Sequence, residues 1–137
     1  MKKISSALLF FLGLGVFLPA QNLIGYTKTE IIRIMKEEHR DYVLNTSTRN
    51  PVYRYLKYED RTRTRTILFF LSEDDKCTYV KFLGDYSYLK TKTAELNEKY
   101  RKIDESTWME TRGDEKFRIE LEKGEWFFTV TTRKADG

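Results

Sequence analysis

Three arginines at alternate positions are the part of the chain best suited to bind an anion. Arg61, Arg63 and Arg65 alternate with threonines just before the apolar run at residues 67–71. Alternate side chains of a β-strand point to one face, so a strand through this segment would place the guanidinium groups about 6.7 Å apart. Guanidinium groups bind carboxylates and phosphates through paired hydrogen bonds. The alternation predicts a site for an anionic glycan, a lipid phosphate or an acidic protein.

The same three arginines have a second interpretation. They lie where the predicted strand leaves its apolar part, next to a turn. Charged side chains at such a hairpin end stay in water and oppose edge-to-edge aggregation of sheets. The sequence alone leaves both interpretations open.

Residues suited to catalysis or metal binding are few. His39 is the single histidine and Cys77 the single cysteine, so neither a Cys–His pair nor the usual zinc ligands are expected. The adjacent acidic residues 73–75 lack the alternating oxygens of a calcium loop. The sequence therefore predicts no catalytic residue, no metal site and no cofactor. Its 21 acidic residues leave a paired-carboxylate hydrolase open as an alternative.

Two helices are predicted from the hydrophobic pattern. Thr27 and Glu30 have the spacing of a capping box, which starts a helix over residues 27–40. A second helix begins with Asp85 or Ser87 as its cap. Its apolar stripe steps by four and three residues through Leu89, Thr93, Leu96, Tyr100 and Ile103.

The strands are predicted from short, turn-bounded segments rich in β-branched and aromatic residues. They cover residues 42–44, 52–58, 64–71, 77–83, 107–111, 116–122 and 125–133. Short connections give antiparallel pairing, and two amphipathic helices must bury their stripes against the sheet. The predicted fold is α+β: an antiparallel sheet of about six or seven strands with two helices packed on one face. The order is α-β3(or 4)-α-β3, with possible half-repeats at residues 27–83 and 86–133. The predicted core contains Ile31, Met35, Leu96, Phe117, Ile119 and Leu121.

Aromatic side chains are expected on the face of the sheet that the helices leave open. Tyr53 and Tyr55 share one face of their predicted strand, and Trp126 is predicted to share a face with Phe128 and Val130. Exposed Tyr and Trp are favoured at binding surfaces, because they bury much area at little entropic cost. Tyr53 and Tyr55 therefore join the arginines as candidate binding residues.

The entry into the first helix resembles that of a group of small exported bacterial domains. Residues 25–31, GYTKTEI, match the pattern G-x-T-x-x-E-I. With the tandem arrangement of a helix and antiparallel strands, this motif resembles β-lactamase-inhibitor-protein-like domains and the outer-membrane assembly lipoproteins. The resemblance implies binding of protein partners through the open face of the sheet.

Residues 1–20 have the pattern of a secretory signal peptide. Two lysines precede an apolar core at residues 7–18, and Ala20 is the small residue before Gln21. The core is shorter than the ~20 residues of a membrane span, although a retained N-terminal anchor stays open. We expect cleavage between Ala20 and Gln21 and export to the periplasm or the outside of a bacterial cell. Cleavage would lower the formal charge from +4 to about +2, a weak excess for a nucleic-acid binder.

Together these patterns predict one domain over residues 21–137 and a non-enzymatic binding protein. The expected partner is a protein or an anionic envelope glycan or lipid, bound by a monomer or weak oligomer without a stable membrane span. The alternatives are a hydrolase of envelope polymers and an envelope assembly or structural factor.

Overall fold

The structure is a computed structural model and describes residues 20–46 and 54–135. The helices are α1 (Lys28–Glu38) and α2 (Leu89–Lys99), with short 3₁₀ helices at Ala20–Asn22 and Tyr86–Tyr88. The strands are β1 (Tyr42–Leu44), β2 (Tyr55–Asp60), β3 (Arg65–Leu71), β4 (Cys77–Asp85), β5 (Arg101–Asp104), β6 (Thr107–Arg112), β7 (Glu115–Lys123) and β8 (Phe127–Lys134).

The strands form one antiparallel sheet in the order β1-β2-β3-β4-β8-β7-β6-β5. Each α-helix is followed by four consecutive strands, and the two sets of strands meet where β4 pairs with β8. The predicted α+β class with an antiparallel sheet is confirmed. The predicted count of six or seven strands is wrong, because the sheet has eight, and the order is α-β4-α-β4.

The missed strand is β5, whose residues were assigned to the end of the second helix. That helix ends at Lys99, because the backbone of Tyr100 turns extended while its N–H still donates to the Leu96 carbonyl at 3.0 Å. The chain then pairs with β6, which places Ile103 in an exposed edge strand instead of on a helical stripe. Strand pairing with β6 thus overrides the helical period in this segment.

The hydrophobic core lies between the helices and one face of the sheet. The predicted capping box is present: Glu30 N–H donates to Thr27 Oγ1 at 3.2 Å, and Thr27 N–H donates to Glu30 Oε1 at 2.9 Å. Trp108 is buried on the same face and donates from Nε1 to Asn97 Oδ1 of α2 at 2.9 Å. All six predicted core residues are buried, namely Ile31, Met35, Leu96, Phe117, Ile119 and Leu121.

No helix among the described residues combines the length and the hydrophobicity needed to cross a bilayer.

Candidate binding face

The structure separates the three arginines. Arg61 and Arg63 are exposed in the turn between β2 and β3, and only Arg65 lies in a strand. Arg63 has a φ of 59°, in the left-handed region that side-chain-bearing residues rarely adopt. A strand carrying all three guanidinium groups on one face, which the first interpretation of the sequence requires, is therefore not formed. Arg61 and Arg63 lie at a hairpin end, as in the second interpretation.

Asp60 is the residue that bends the chain. Its carboxylate accepts the backbone N–H groups of Thr64 at 2.9 Å and Arg65 at 3.0 Å. The hydroxyls of Thr62 and Thr64 also donate to it, at 2.8 and 3.1 Å. Burial raises the pKa of Asp60, but the hydrogen bonds from Arg65, Thr62 and Thr64 outweigh this effect and lower the pKa to about 2. Aspartate and threonine commonly divert the backbone in this way, so the alternating threonines signal a turn rather than a strand.

Arg65 points toward the helix side of the sheet. Its Nε lies 3.1 Å from Asp60 Oδ2 and its terminal nitrogen 3.6 Å from Asp41 Oδ2. The guanidinium carbon lies 5.5 Å from the ring centre of Tyr42 and 4.8 Å from that of Tyr88. Arg65 therefore interacts with the protein's own side chains and is not on the open face.

A small polar cavity of about 170 Å³ adjoins Arg65 and α2. Lys92 projects into it from α2, with Nζ 3.5 Å from Glu95 Oε2 and 4.2 Å from the ring centre of Phe82. Burial lowers the pKa of Lys92 to about 8, and Glu95 opposes that shift. Tyr88 donates its hydroxyl to Glu95 Oε1 at 3.0 Å. Because these charged groups pair with one another, we infer that the cluster holds α2 against the sheet.

The opposite face of the sheet carries a row of aromatic side chains across three strands. Tyr55 pairs with Phe70, and Phe70 pairs with Tyr79. The ring centres of Tyr55 and Phe70 lie 5.8 Å apart, and those of Phe70 and Tyr79 lie 4.3 Å apart with an interplanar angle of 10°. Tyr55 thus lies on the face predicted for it, and Tyr53 lies outside the described residues. We call this side of the sheet the open face.

Two neighbouring cavities lie on the open face. The larger is about 450 Å³ and is lined by Tyr55, Lys57, Thr66, Leu68, Phe70, Tyr79 and Leu83. The smaller is about 300 Å³ and is lined by Arg63, Thr64, Thr66, Leu83, Gly84, Asp85, Trp126 and Phe127. Thr66 and Leu83 line both cavities, so the two lie side by side along β3 and β4. We call the two cavities together the open-face groove.

Two exposed aromatic residues lie at one end of the groove. Trp126 is 79% exposed and Phe127 is 42% exposed. The prediction that Trp126 shares one face of a strand with Phe128 and Val130 is wrong, because β8 begins only at Phe127. The turn is closed by a hydrogen bond from Gly124 N–H to the Phe127 carbonyl at 2.9 Å, which leaves Trp126 at the tip.

The open face carries both cations and carboxylates. Lys57 and Lys81 flank Leu68 in the register of the sheet. Among residues 20–46 and 54–135, neither lysine forms an ion pair. Two carboxylates lie nearby: Glu59 accepts the Asn45 amide at 2.9 Å, and Asp85 accepts the Ser87 N–H at 2.9 Å. These neutral donors do not cancel the carboxylate charges, so the positive charge of the groove is concentrated beside Leu68, at Lys57 and Lys81.

The described part of the chain holds no group of three metal-ligating side chains. Cys77 is buried, and burial raises the pKa of its thiol to about 12. At neutral pH this thiol is protonated and therefore a poor nucleophile.

Comparisons of the chain with protein-family models, with curated proteins and with solved structures gave no match. The resemblance of residues 25–31 to the exported bacterial domains stays a prediction.

Proposed function

We propose that this chain is an exported bacterial, non-enzymatic protein that binds an acidic protein partner through its open face. The observation that carries the proposal is the aromatic row Tyr55–Phe70–Tyr79 beside Lys57 and Lys81, on the face opposite the helix-covered core. Half-buried aromatics surrounded by polar groups are typical of the energetic centres of protein interfaces.

The orientation of the rings favours a protein over a glycan. Phe70 and Tyr79 are stacked nearly parallel at 4.3 Å, so each covers one face of the other. Side chains stand roughly perpendicular to a sheet, so these two rings present mainly their edges to a ligand. Ring edges carry partial positive charge. Carboxylates and backbone carbonyls suit such a surface, and Lys57 and Lys81 add full positive charges beside it.

Site-specific photocrosslinking in the native cells tests this proposal. A photoreactive phenylalanine analogue replaces Tyr79 or Leu68 on the open face, and Lys36 or Lys90 on the exposed helix surface as a matched control. We expect discrete adducts with acidic segments of a protein from the open-face positions only. These adducts should disappear when Lys57 and Lys81 are both changed to Glu. Equal adducts from both surfaces, or adducts with glycan alone, would contradict the proposal.

Activity assays distinguish a binding protein from a hydrolase. The purified protein is assayed on envelope glycans, esters and peptides. Turnover that disappears on changing a single carboxylate would refute the non-enzymatic assignment and favour the hydrolase.

A further inference from the structure

The open-face groove has the dimensions of one extended chain. At ~3.4 Å per residue, the stretch of β4 from Tyr79 to Asp85 is about 20 Å long. The groove follows this stretch, because its two cavities share Thr66 and Leu83. Its floor runs from β2 to β4, which is two strand spacings or about 10 Å. An extended peptide of six or seven residues, at ~3.3–3.6 Å per residue, matches this length.

The two ends of the groove differ in chemistry. The end near Tyr79 is the aromatic row. The other end combines Arg63 with the exposed rings of Trp126 and Phe127, and Asp85 also lines it. Arg63 makes no ion pair with any described residue. Its backbone lies in the left-handed region, in a turn where the N–H of Arg63 donates to the Asp60 carbonyl at 3.1 Å.

We propose that the partner contributes a single extended segment, whose apolar side chains cover Leu68 and Leu83. A carboxylate of that segment binds Arg63 and packs against Trp126. This proposal rests on the proposed function of the open face, since it specifies what that face binds. Arg63 is suited to this contact because guanidinium groups bind carboxylates in a bidentate way. The exposed Trp126 supplies a large apolar anchor of the type that dominates interface energetics.

A random heptapeptide library displayed on phage is the probe. Peptides are selected on the purified protein, and their affinities are measured for the wild type and for single variants. We expect selected peptides to contain aliphatic residues and to have Asp or Glu toward one end. Backbone amide shifts on binding should be confined to residues 55–71, β4 and residues 124–127. Trp126→Ala should weaken binding about tenfold or more, as for an interface hot spot.

The turn itself supplies a matched control for the arginine. Arg63→Gln should weaken binding by about threefold to tenfold, corresponding to the net value of one ordinary hydrogen bond at an exposed site. Arg61→Gln changes the same residue type in the same turn, but Arg61 does not line the groove, so its affinity should stay that of the wild type. Thermal unfolding of all three variants should be unchanged, because the altered side chains are exposed.

The possible failures are distinguishable. If peptide binding depends on Tyr79 and Lys81 but not on Arg63 or Trp126, the extended-segment proposal is wrong and the function of the open face stands. The same conclusion follows if a folded partner crosslinks to Tyr79 while no heptapeptide binds the groove. If binding depends on no open-face residue, both proposals are wrong.

Discussion

Asp60 Oδ2 lies 3.1 Å from Arg65 Nε, and this contact fixes the start of β3. The Asp60 side chain is only 2% exposed. The same carboxylate accepts backbone N–H groups at residues 64 and 65. One buried anion therefore closes the turn and directs Arg65 toward the helix side of the sheet.

The first prediction concerns the charge of Asp60. Its folded pKa, about 2, is below the ordinary value of 3.8. The contribution of the ionised Asp60 to the free energy of unfolding is therefore complete above pH 3.8 and is lost as the pH falls toward 2. A shift of this size corresponds to about 2 kcal/mol. Asp60→Asn should lower the free energy of unfolding by about that amount at pH 7. It should also make the free energy of unfolding less dependent on pH between pH 4 and 2. Denaturant unfolding at several pH values measures both, with Glu59→Gln as the control.

The second prediction concerns the buried ammonium of Lys92. Burial lowers its folded pKa to about 8, below the ordinary lysine value of 10.5. Between these values the unfolded chain holds more protons, so wild-type stability contributed by this group should rise with pH from 8 to 10.5. Glu95 opposes the shift, whereas Lys99 and Arg65 add to it.

Replacement by methionine tests this effect. Lys92→Met removes the buried cation and with it the pH dependence, although it also leaves Glu95 without this partner. The free energy of unfolding of Lys92→Met relative to that of the wild type should therefore be highest near pH 7 and should fall as the pH approaches 10.5. Lys90→Met, on the exposed side of α2, is the control. If the difference in the free energy of unfolding between Lys92→Met and the wild type stays constant from pH 7 to 10, Lys92 is not buried in its charged form.

Hydrophobic periodicity predicted the core well, because burial on one face leaves a direct pattern in the sequence. Phe117, Ile119 and Leu121 alternate with charged residues, and all three are buried. Periodicity failed where side chains control the backbone. The Arg–Thr alternation resembles a strand, but Asp60 collects its N–H groups and hydroxyls into a turn. The groove was also hidden, since periodicity along one strand does not show which side chains of β2, β3 and β4 lie next to one another, or that Trp126 and Phe127 join them.

The third prediction concerns two core residues from different layers. Leu96 of α2 and Ile119 of β7 are both fully buried. Leu96→Ala and Ile119→Ala should each lower the free energy of unfolding by about 2–5 kcal/mol, through lost apolar contact and the cavity left behind. Lys90→Ala on the exposed surface of α2 should change it by less than about 0.5 kcal/mol. Losses at Leu96 and Ile119 as small as that of the control would be incompatible with packing of the helices on the sheet.

The fourth prediction tests the proposed export and cleavage of the chain. We expect mass spectrometry to find Gln21 as the N-terminal residue, as glutamine or as pyroglutamate. Ala20 is buried, so cleavage removes a small part of the core wall. The following residues keep their anchors, because Asn22 donates to Glu110 and Arg112 donates to the Ile24 carbonyl at 3.0 Å. The chain beginning at Gln21 should therefore fold cooperatively. Recovery of the protein with residues 1–20 intact would argue against cleavage.

The last prediction separates the three arginines by stability. Arg65 faces the buried Asp60 and lies between the rings of Tyr42 and Tyr88. Arg65→Gln removes a hydrogen bond between charged groups and leaves a buried carboxylate without its cation. It should lower the free energy of unfolding by about 2 kcal/mol or more. Arg61→Gln and Arg63→Gln alter exposed side chains and should each stay within about 0.5 kcal/mol of the wild type. A triple change to glutamine would therefore mix a folding defect with any binding defect, and the single variants must be compared by denaturant unfolding. If the three single glutamine variants have the same free energy of unfolding, the Asp60–Arg65 contact does not hold the turn. A loss at Arg65 alone would leave Arg63 as the arginine whose effect on ligand binding can be measured free of a folding defect.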